Sequence, residues 1–243
     1  MNRAIADSHV VQGARTTLFA RLCKTHSTRT EVTMRTSVRV RQLELLVFAV
    51  LIAVFSGPVL FGSVRQSMIF QPAAVCSGEW WRLITHPFVH VTWYHLLLDG
   101  AAFLLLYHGL LEATVVRRLG YVAAGGAGSL LLSWLAAGAV SDSGLCGLSG
   151  IAHGLMAVSA LELLANPARS LAEIRMGIVM FAAVVGKAAI EAITGQVFFE
   201  FLHFGLVGAP VAVSHAGGIV GCLAVVLCSQ TFGRTRLNEG PIL

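Results

Sequence analysis

The sequence predicts an all-α membrane protein, a bundle of six transmembrane helices, and three observations carry that prediction. The 243 residues are 56% hydrophobic and only 12% charged, about half the charge of a typical soluble domain. The mean hydropathy is +0.77. Apolar runs near the ~20 residues needed to cross a bilayer recur six times, at 43–61, 94–111, 121–140, 149–165, 176–193 and 210–230.

In chain order, residues 1–41 form a basic cytoplasmic segment. They hold eight Lys/Arg, show no periodicity over the first 33 residues, and lack the apolar run of a cleavable signal peptide. The six-span domain covers 42–230, and 231–243 is a short cytoplasmic tail. With the N-terminus in the cytoplasm, fourteen Lys/Arg fall inside and only Arg65 and Arg82 outside, while Lys187 lies within a span. The net charge of +5 therefore reflects topology, and no nucleic-acid partner is expected. The outer loop after span one carries Trp80, Trp81 and Trp93 for the aromatic belt, and His86 and His90 as wet lining. Span two brings His95, Asp99 and His108. Residues 141–148, "SDSGLCGL", are too polar and glycine-rich to face lipid, so they are expected to dip into the protein. Span five pairs Lys187 with Glu191 one turn on, as an intrahelical ion pair or, alternatively, as the lysine of a Ser–Lys dyad. Residues 195–209, with four phenylalanines, read as a membrane-dipping cap or an irregular extension of span five or six. Span six opens near Pro210, a residue suited to a first helical position.

Chemistry concentrates around "GLCGLSGIAHGL" at 144–155. Ser149 stands at the submerged N-terminus of span four, where unpaired backbone N–H groups favour developing negative charge. Ionisable groups at membrane depth are costly and mark function by default, which singles out His95, His108, His153 and His215 as candidate bases. His215 lies in "PVAVSHAGGIVG" at a matching depth. The small residues around it would let span six pack closely on Gly150 and Gly154 of span four, as a Ser–His pair requires. His153 shares a helix face with Ser149 and is the alternative base.

Taken together, "GLSG" at 147–150, "SHAGG" at 214–218 and "EWWRLITHPFVHVTWYHLLLD" at 79–99 resemble the rhomboid intramembrane serine proteases, over roughly residues 42–230. The "GLSGIAHG" form looks most like the rhombosortase branch, whose substrates carry a glycine-rich C-terminal membrane anchor. The resemblance implies Ser149 as nucleophile, His215 as general base and a dyad that needs no third carboxylate. It implies His95 and the Ser149 backbone N–H as oxyanion donors, supported by Gly147 and Leu148, and His153 in place of an aromatic that packs on the catalytic histidine. It also implies membrane-anchored protein substrates, no cofactor, and an inner-membrane location with the active site opening to the outer face. Asp99 stands where the family usually has an oxyanion-binding Asn. It either donates a hydrogen bond as a protonated acid or accepts one from His95 and fixes its tautomer. Glu112 lies near the family's Glu-x3-Gly motif, but Gly120 comes eight residues later.

A different class stays open beside this reading. His86, His90, His95 and Asp99 have near-helical spacing and could bind a metal, and six spans also suit a transporter or a haem-binding electron carrier. The "H-E-x-x-H" zinc signature is absent, and the second half does not repeat the first as in many transporters. Cys76 and Cys146 are the two cysteines placed outside. A bridge between them would close a loop of about 70 residues, worth up to roughly 4 kcal/mol. The alternative is two separate thiols.

Overall fold

The computed structural model describes residues 38–136, 140, 144–165, 168–198, 204 and 211–238, with side chains as far as residue 230. The chain divides into two compact units, Met1–Glu44 and Leu45–Leu243. Only residues 38–44 of the first are described; they are helical. The rest of the basic N-terminal segment, Pro210 and most of 195–209 lie outside the described residues.

The protein is an all-helical membrane protein. Its helices are α1 (Val38–Phe61), α2 (Pro72–Cys76), α3 (Arg82–Thr85), α4 (Trp93–Gly109), α5 (Val115–Leu135), α6 (Ser149–Ala165), α7 (Leu171–Thr194) and α8 (Val213–Asn238). Among the described residues there is no strand, only an isolated antiparallel bridge between Phe70 and Leu145. Each of the six expected spans overlaps one of the long helices α1 and α4–α8. By length and composition three of these can cross a membrane (Val38–Phe61, Leu171–Thr194 and Val213–Gln230), or four if Arg82–Phe88 and Trp93–Gly109 form one span bent by 94°. Ser149–Ala165 is a shorter apolar helix.

Local chemistry sets the boundaries. Pro87 sits in a short 3-10 turn, His86–Phe88, where its missing N–H costs nothing. The chain then extends until Thr92 restarts a helix, its hydroxyl accepting from the His95 N–H at 3.0 Å. That cap, worth about 1 kcal/mol, aims the first turn of α4. Helix α7 begins with a reciprocal capping box of Ser170 and Glu173 and ends at Gly195 in the left-handed conformation, φ 69°. Between α4 and α5, the Glu162 carboxylate accepts the N–H groups of Leu111 and Glu112 at 2.8 Å each. The buried Arg118 donates to the carbonyls of Glu112 and Ala113. Burial raises the Glu112 carboxyl, but hydrogen bonds from Thr114 and Arg117 outweigh it and hold the group below its ordinary value.

One cluster of the core joins α1, α4, α5, α6 and α8 through Phe48, Phe103, Tyr107, Tyr121, Leu148, Ile151, Leu155 and Cys222. Phe48 meets Phe103 and Tyr107 edge-to-face at 5.1 and 5.0 Å, contacts worth about 0.5–1.5 kcal/mol each beyond burial. Beside it the backbones of α5, α6 and α8 come into direct contact. A Cβ on Gly218 would lie 1.8 Å from the Gly150 carbonyl oxygen, and one on Gly217 would lie 2.3 Å from that of Gly128. Only glycine permits such an approach, as small-residue packing between membrane helices requires.

Cys76 is exposed and Cys146 half-buried, and both are free thiols. Alkylation of the non-reduced protein in denaturant, followed by mass spectrometry, should therefore modify both cysteines in full. A disulfide-linked Cys76–Cys146 peptide would contradict this.

Candidate active site

Ser149 is the first residue of α6, and the loop before it is fixed from three sides. Phe70 and Leu145 exchange backbone hydrogen bonds of 3.0 and 2.9 Å, and the Gly147 N–H donates to the His86 carbonyl at 3.1 Å. Gly144 and Gly147 take φ of 79° and 99°, values open to glycine at little cost. The buried Leu148 anchors the turn in the core, and its carbonyl accepts the first α6 bond from Ala152. The Ser149 N–H precedes that ladder, so it is available to a partner outside the helix.

That partner is Asp99. Its Oδ2 accepts from the Ser149 N–H at 3.0 Å and lies 3.1 Å from His95 Nε2. His95 Nδ1 faces the Val91 N–H at 3.4 Å and so accepts, which leaves the imidazole proton on Nε2, donating to Asp99. Of the two readings of Asp99, the geometry is that of an acceptor. The cause is position: one turn below His95, the carboxylate meets two convergent donors. His90 closes the cluster. Ser56 Oγ donates to the Phe88 carbonyl at 2.7 Å, so it accepts from His90 Nδ1 at 2.8 Å. The buried Nε2 then carries a lone pair, lies 3.8 Å from Asp99 Oδ2, and has no hydrogen-bond partner among the described residues.

On the other side of Ser149 stand two stacked imidazoles. His153 and His215 lie face to face, centroids 3.9 Å apart and planes within 12°. Lys187 Nζ is 3.0 Å from His153 Nε2. Lysine has only donors, so Nε2 accepts and Nδ1 donates to the Ser149 carbonyl at 2.7 Å. His215 Nδ1 lies 2.6 Å from Glu191 Oε2. Glu191 Oε1 accepts from Lys187 Nζ at 2.6 Å and from the Phe198 N–H at 2.8 Å. Both carboxylate oxygens thus act as acceptors, which puts the imidazole proton of His215 on Nδ1 and leaves Nε2 as the lone-pair nitrogen.

The structure gathers Ser149, His95, Asp99, Gly147, His153 and His215 in one region, and adds Ser56, His90, Lys187 and Glu191. His86 and His90 are buried, at 3% and 0% exposure. They do not line a wet entrance; each turns its Nδ1 to an internal partner, the Arg82 carbonyl and Ser56. The signal for Glu191 is a carboxylate near the end of a span, but its tie to His215 spans 24 residues and no helical spacing could reveal it. Donor atoms of His90, His95 and Asp99 lie within 4.8 Å of one another, as do those of His153, Glu191 and His215. In the second group the Lys187 ammonium already supplies the cation. Imidazoles stacked at 3.9 Å leave no room for a haem between them.

A Rhomboid domain matches residues 77–235. The chain belongs to the rhomboid family. Rhomboid proteases are intramembrane serine proteases that act on membrane-protein substrates within the lipid bilayer. The match runs from just before α3 into α8 and takes in every residue of the cluster except Ser56. Neither a curated protein nor a solved structure matches the chain.

A side chain at 147 would be strained by the positive φ, and its Cβ would fall 2.7 Å from Asp99 Oδ2 and 2.8 Å from His95 Nε2. Gly147→Ala should therefore destabilise the protein by about 1–3 kcal/mol, read as a lowered Tm in detergent. An unchanged Tm would show that the loop has slack.

Proposed function

We propose that the protein is an intramembrane serine endopeptidase with Ser149 as nucleophile and His215 as general base. The six long helices act as six spans, the N-terminus lies in the cytoplasm of a cell whose inner membrane holds the enzyme, and the site opens to the outer face. The substrates are proteins held by a transmembrane or C-terminal anchor, with glycine-rich anchors, as in the rhombosortase branch, the class that fits best.

The single observation that carries this reading is the division of labour between the two imidazoles. His153 has both nitrogens committed, to Lys187 and to the Ser149 carbonyl. Among the described residues His215 is bonded through Nδ1 to Glu191, so its Nε2 is the nitrogen able to take a proton. The stack on His153, itself tied to the first turn of α6, supports a base on the Ser149 side of α8. Gly150 touching Ser214 and Gly218 supports the same proximity.

The reaction is acyl transfer. The Ser149 Oγ proton passes to His215 Nε2 as Oγ bonds to the scissile carbonyl carbon. The C–N bond then breaks and the imidazolium proton goes to the leaving amine. Water adds to the acyl ester, gives its proton to His215, and frees the new carboxylate as Ser149 is reprotonated. The oxyanion forms beside the Ser149 N–H and His95 Nε2, the two donors that Asp99 Oδ2 occupies in the resting enzyme. Asp99 must withdraw for these donors to serve the transition state, and its charge opposes the oxyanion it makes way for.

With a single-span reporter carrying a glycine-rich C-terminal anchor, Ser149→Ala and His215→Ala should each abolish cleavage, and the double variant should be no worse than either single. Cleavage that survives His215→Ala but is lost in His153→Ala would move the base to His153. A separate change isolates the carboxylate. Asn at 99 keeps an oxygen that can accept from Ser149 and His95 but removes the charge, so Asp99→Asn should raise kcat about tenfold, the equivalent of ~1.4 kcal/mol. A fall in kcat would show instead that His95 depends on the Asp99 charge for its orientation.

A further inference from the structure

Glu191 is an ionisable group held by three partners, Lys187, Phe198 and His215. It is fully buried. One carboxylate oxygen takes the Lys187 ammonium and the Phe198 N–H, and the other takes the His215 Nδ1–H, at 2.6 Å. Stability alone does not ask for this arrangement. A buried ion pair can usually be replaced by apolar side chains at little cost, and Lys187 with Glu191 would already be a complete pair one turn apart on α7. The third contact crosses from α7 to α8 and lands on the nitrogen opposite the one that faces the chemistry.

A carboxylate on Nδ1 does two things to an imidazole base. It fixes the tautomer whose Nε2 lone pair is free, and it stabilises the imidazolium that forms when a serine proton is taken. We propose that Glu191 is a positioning residue for His215, turning the Ser149–His215 pair into a Ser–His–Glu arrangement, with Lys187 as the counter-charge that lets the carboxylate stay ionised at membrane depth. The inference rests on Ser149 and His215 being the reacting pair, and it goes beyond a dyad whose histidine is oriented by packing alone. Lys187 contributes twice, because its contact with His153 Nε2 also fixes the ring on which His215 is stacked.

The test uses the full chain in detergent and a fluorophosphonate probe, so that no natural substrate is needed. Inactivation kinetics give a limiting rate, kinact, and a binding constant, KI. Glu191→Gln keeps the size but loses the charge, and its amide can turn an N–H toward Nδ1. It should lower kinact on the order of 10²–10⁴-fold, with KI within about threefold of wild type. Glu191→Asp should recover part of the loss. Because Glu191→Gln leaves Lys187 without its carboxylate, the double variant Lys187→Met/Glu191→Gln separates folding from positioning. It should regain the wild-type Tm while kinact stays low. Recovery of kinact in the double variant, or an unchanged kinact in Glu191→Gln, would overturn the proposal and leave the Ser149–His215 reading intact. A wild type that does not label, beside a control serine hydrolase that does, would instead overturn that reading and this inference with it.

Discussion

The backbone contact between α6 and α8 is the constraint on which the site depends. With Gly218 against the Gly150 carbonyl, the first turn of α6 and the first turns of α8 are as near as two helices can lie. Ser149 and His215 flank that contact, one residue before Gly150 and three before Gly218. Any side chain at 218 would force the helices apart, and a shift of 1 Å at a reacting pair can cost about 10²-fold in rate. The glycines around both motifs are therefore what turns two distant segments into one site. Gly128 against Gly217 repeats the device between α5 and α8, so that α8 is held from two sides and cannot slide away from Ser149.

Two buried carboxylates then divide the electrostatics. Asp99 accepts from the backbone N–H of Ser149 and from His95, and Glu191 accepts from His215. They act in opposite directions. In the proposed reaction, negative charge at Glu191 favours the imidazolium that appears when Ser149 loses its proton, whereas negative charge at Asp99 disfavours the oxyanion formed in the same step. Glu191 has Lys187 to balance it. Among the described residues Asp99 meets neutral donors and the lone pair of His90 Nε2 at 3.8 Å. In the proposed reaction the tighter of the two arrangements supports the base, and the looser one holds the oxyanion donors.

Much of this was legible in the sequence, because it rests on local pattern. Hydropathy finds the six long helices, since each apolar run overlaps one of them, but it misses ends such as the start of α5 at Val115 and of α7 at Leu171. "GLSG" and "SHAGG" announce close packing through their glycines, and Asp99 is conspicuous as a carboxylate one turn from a histidine. What pattern does not carry is contact between segments. Sequence spacing shows Glu191 as half of an ion pair within α7, and the structure keeps that pair, while the further bond to His215 leaves α7 for α8. His86 and His90 looked like a hydrated lining because histidine is polar. Their partners, the Arg82 carbonyl and Ser56, make them interior struts. The bend between α3 and α4 follows from Pro87 and Thr92, but its angle of 94° is set by packing that no single segment encodes.

The central claim is that Ser149 is a nucleophile activated in place by its neighbours, and the most direct measurement is the site of a covalent fluorophosphonate adduct. Membranes holding the wild-type protein and Ser149→Ala would be treated in parallel, and the adduct mapped by peptide mass spectrometry. A single phosphonylated residue, Ser149, with none in the variant, is the predicted result. An adduct at another serine, or equal labelling of both proteins, would contradict it.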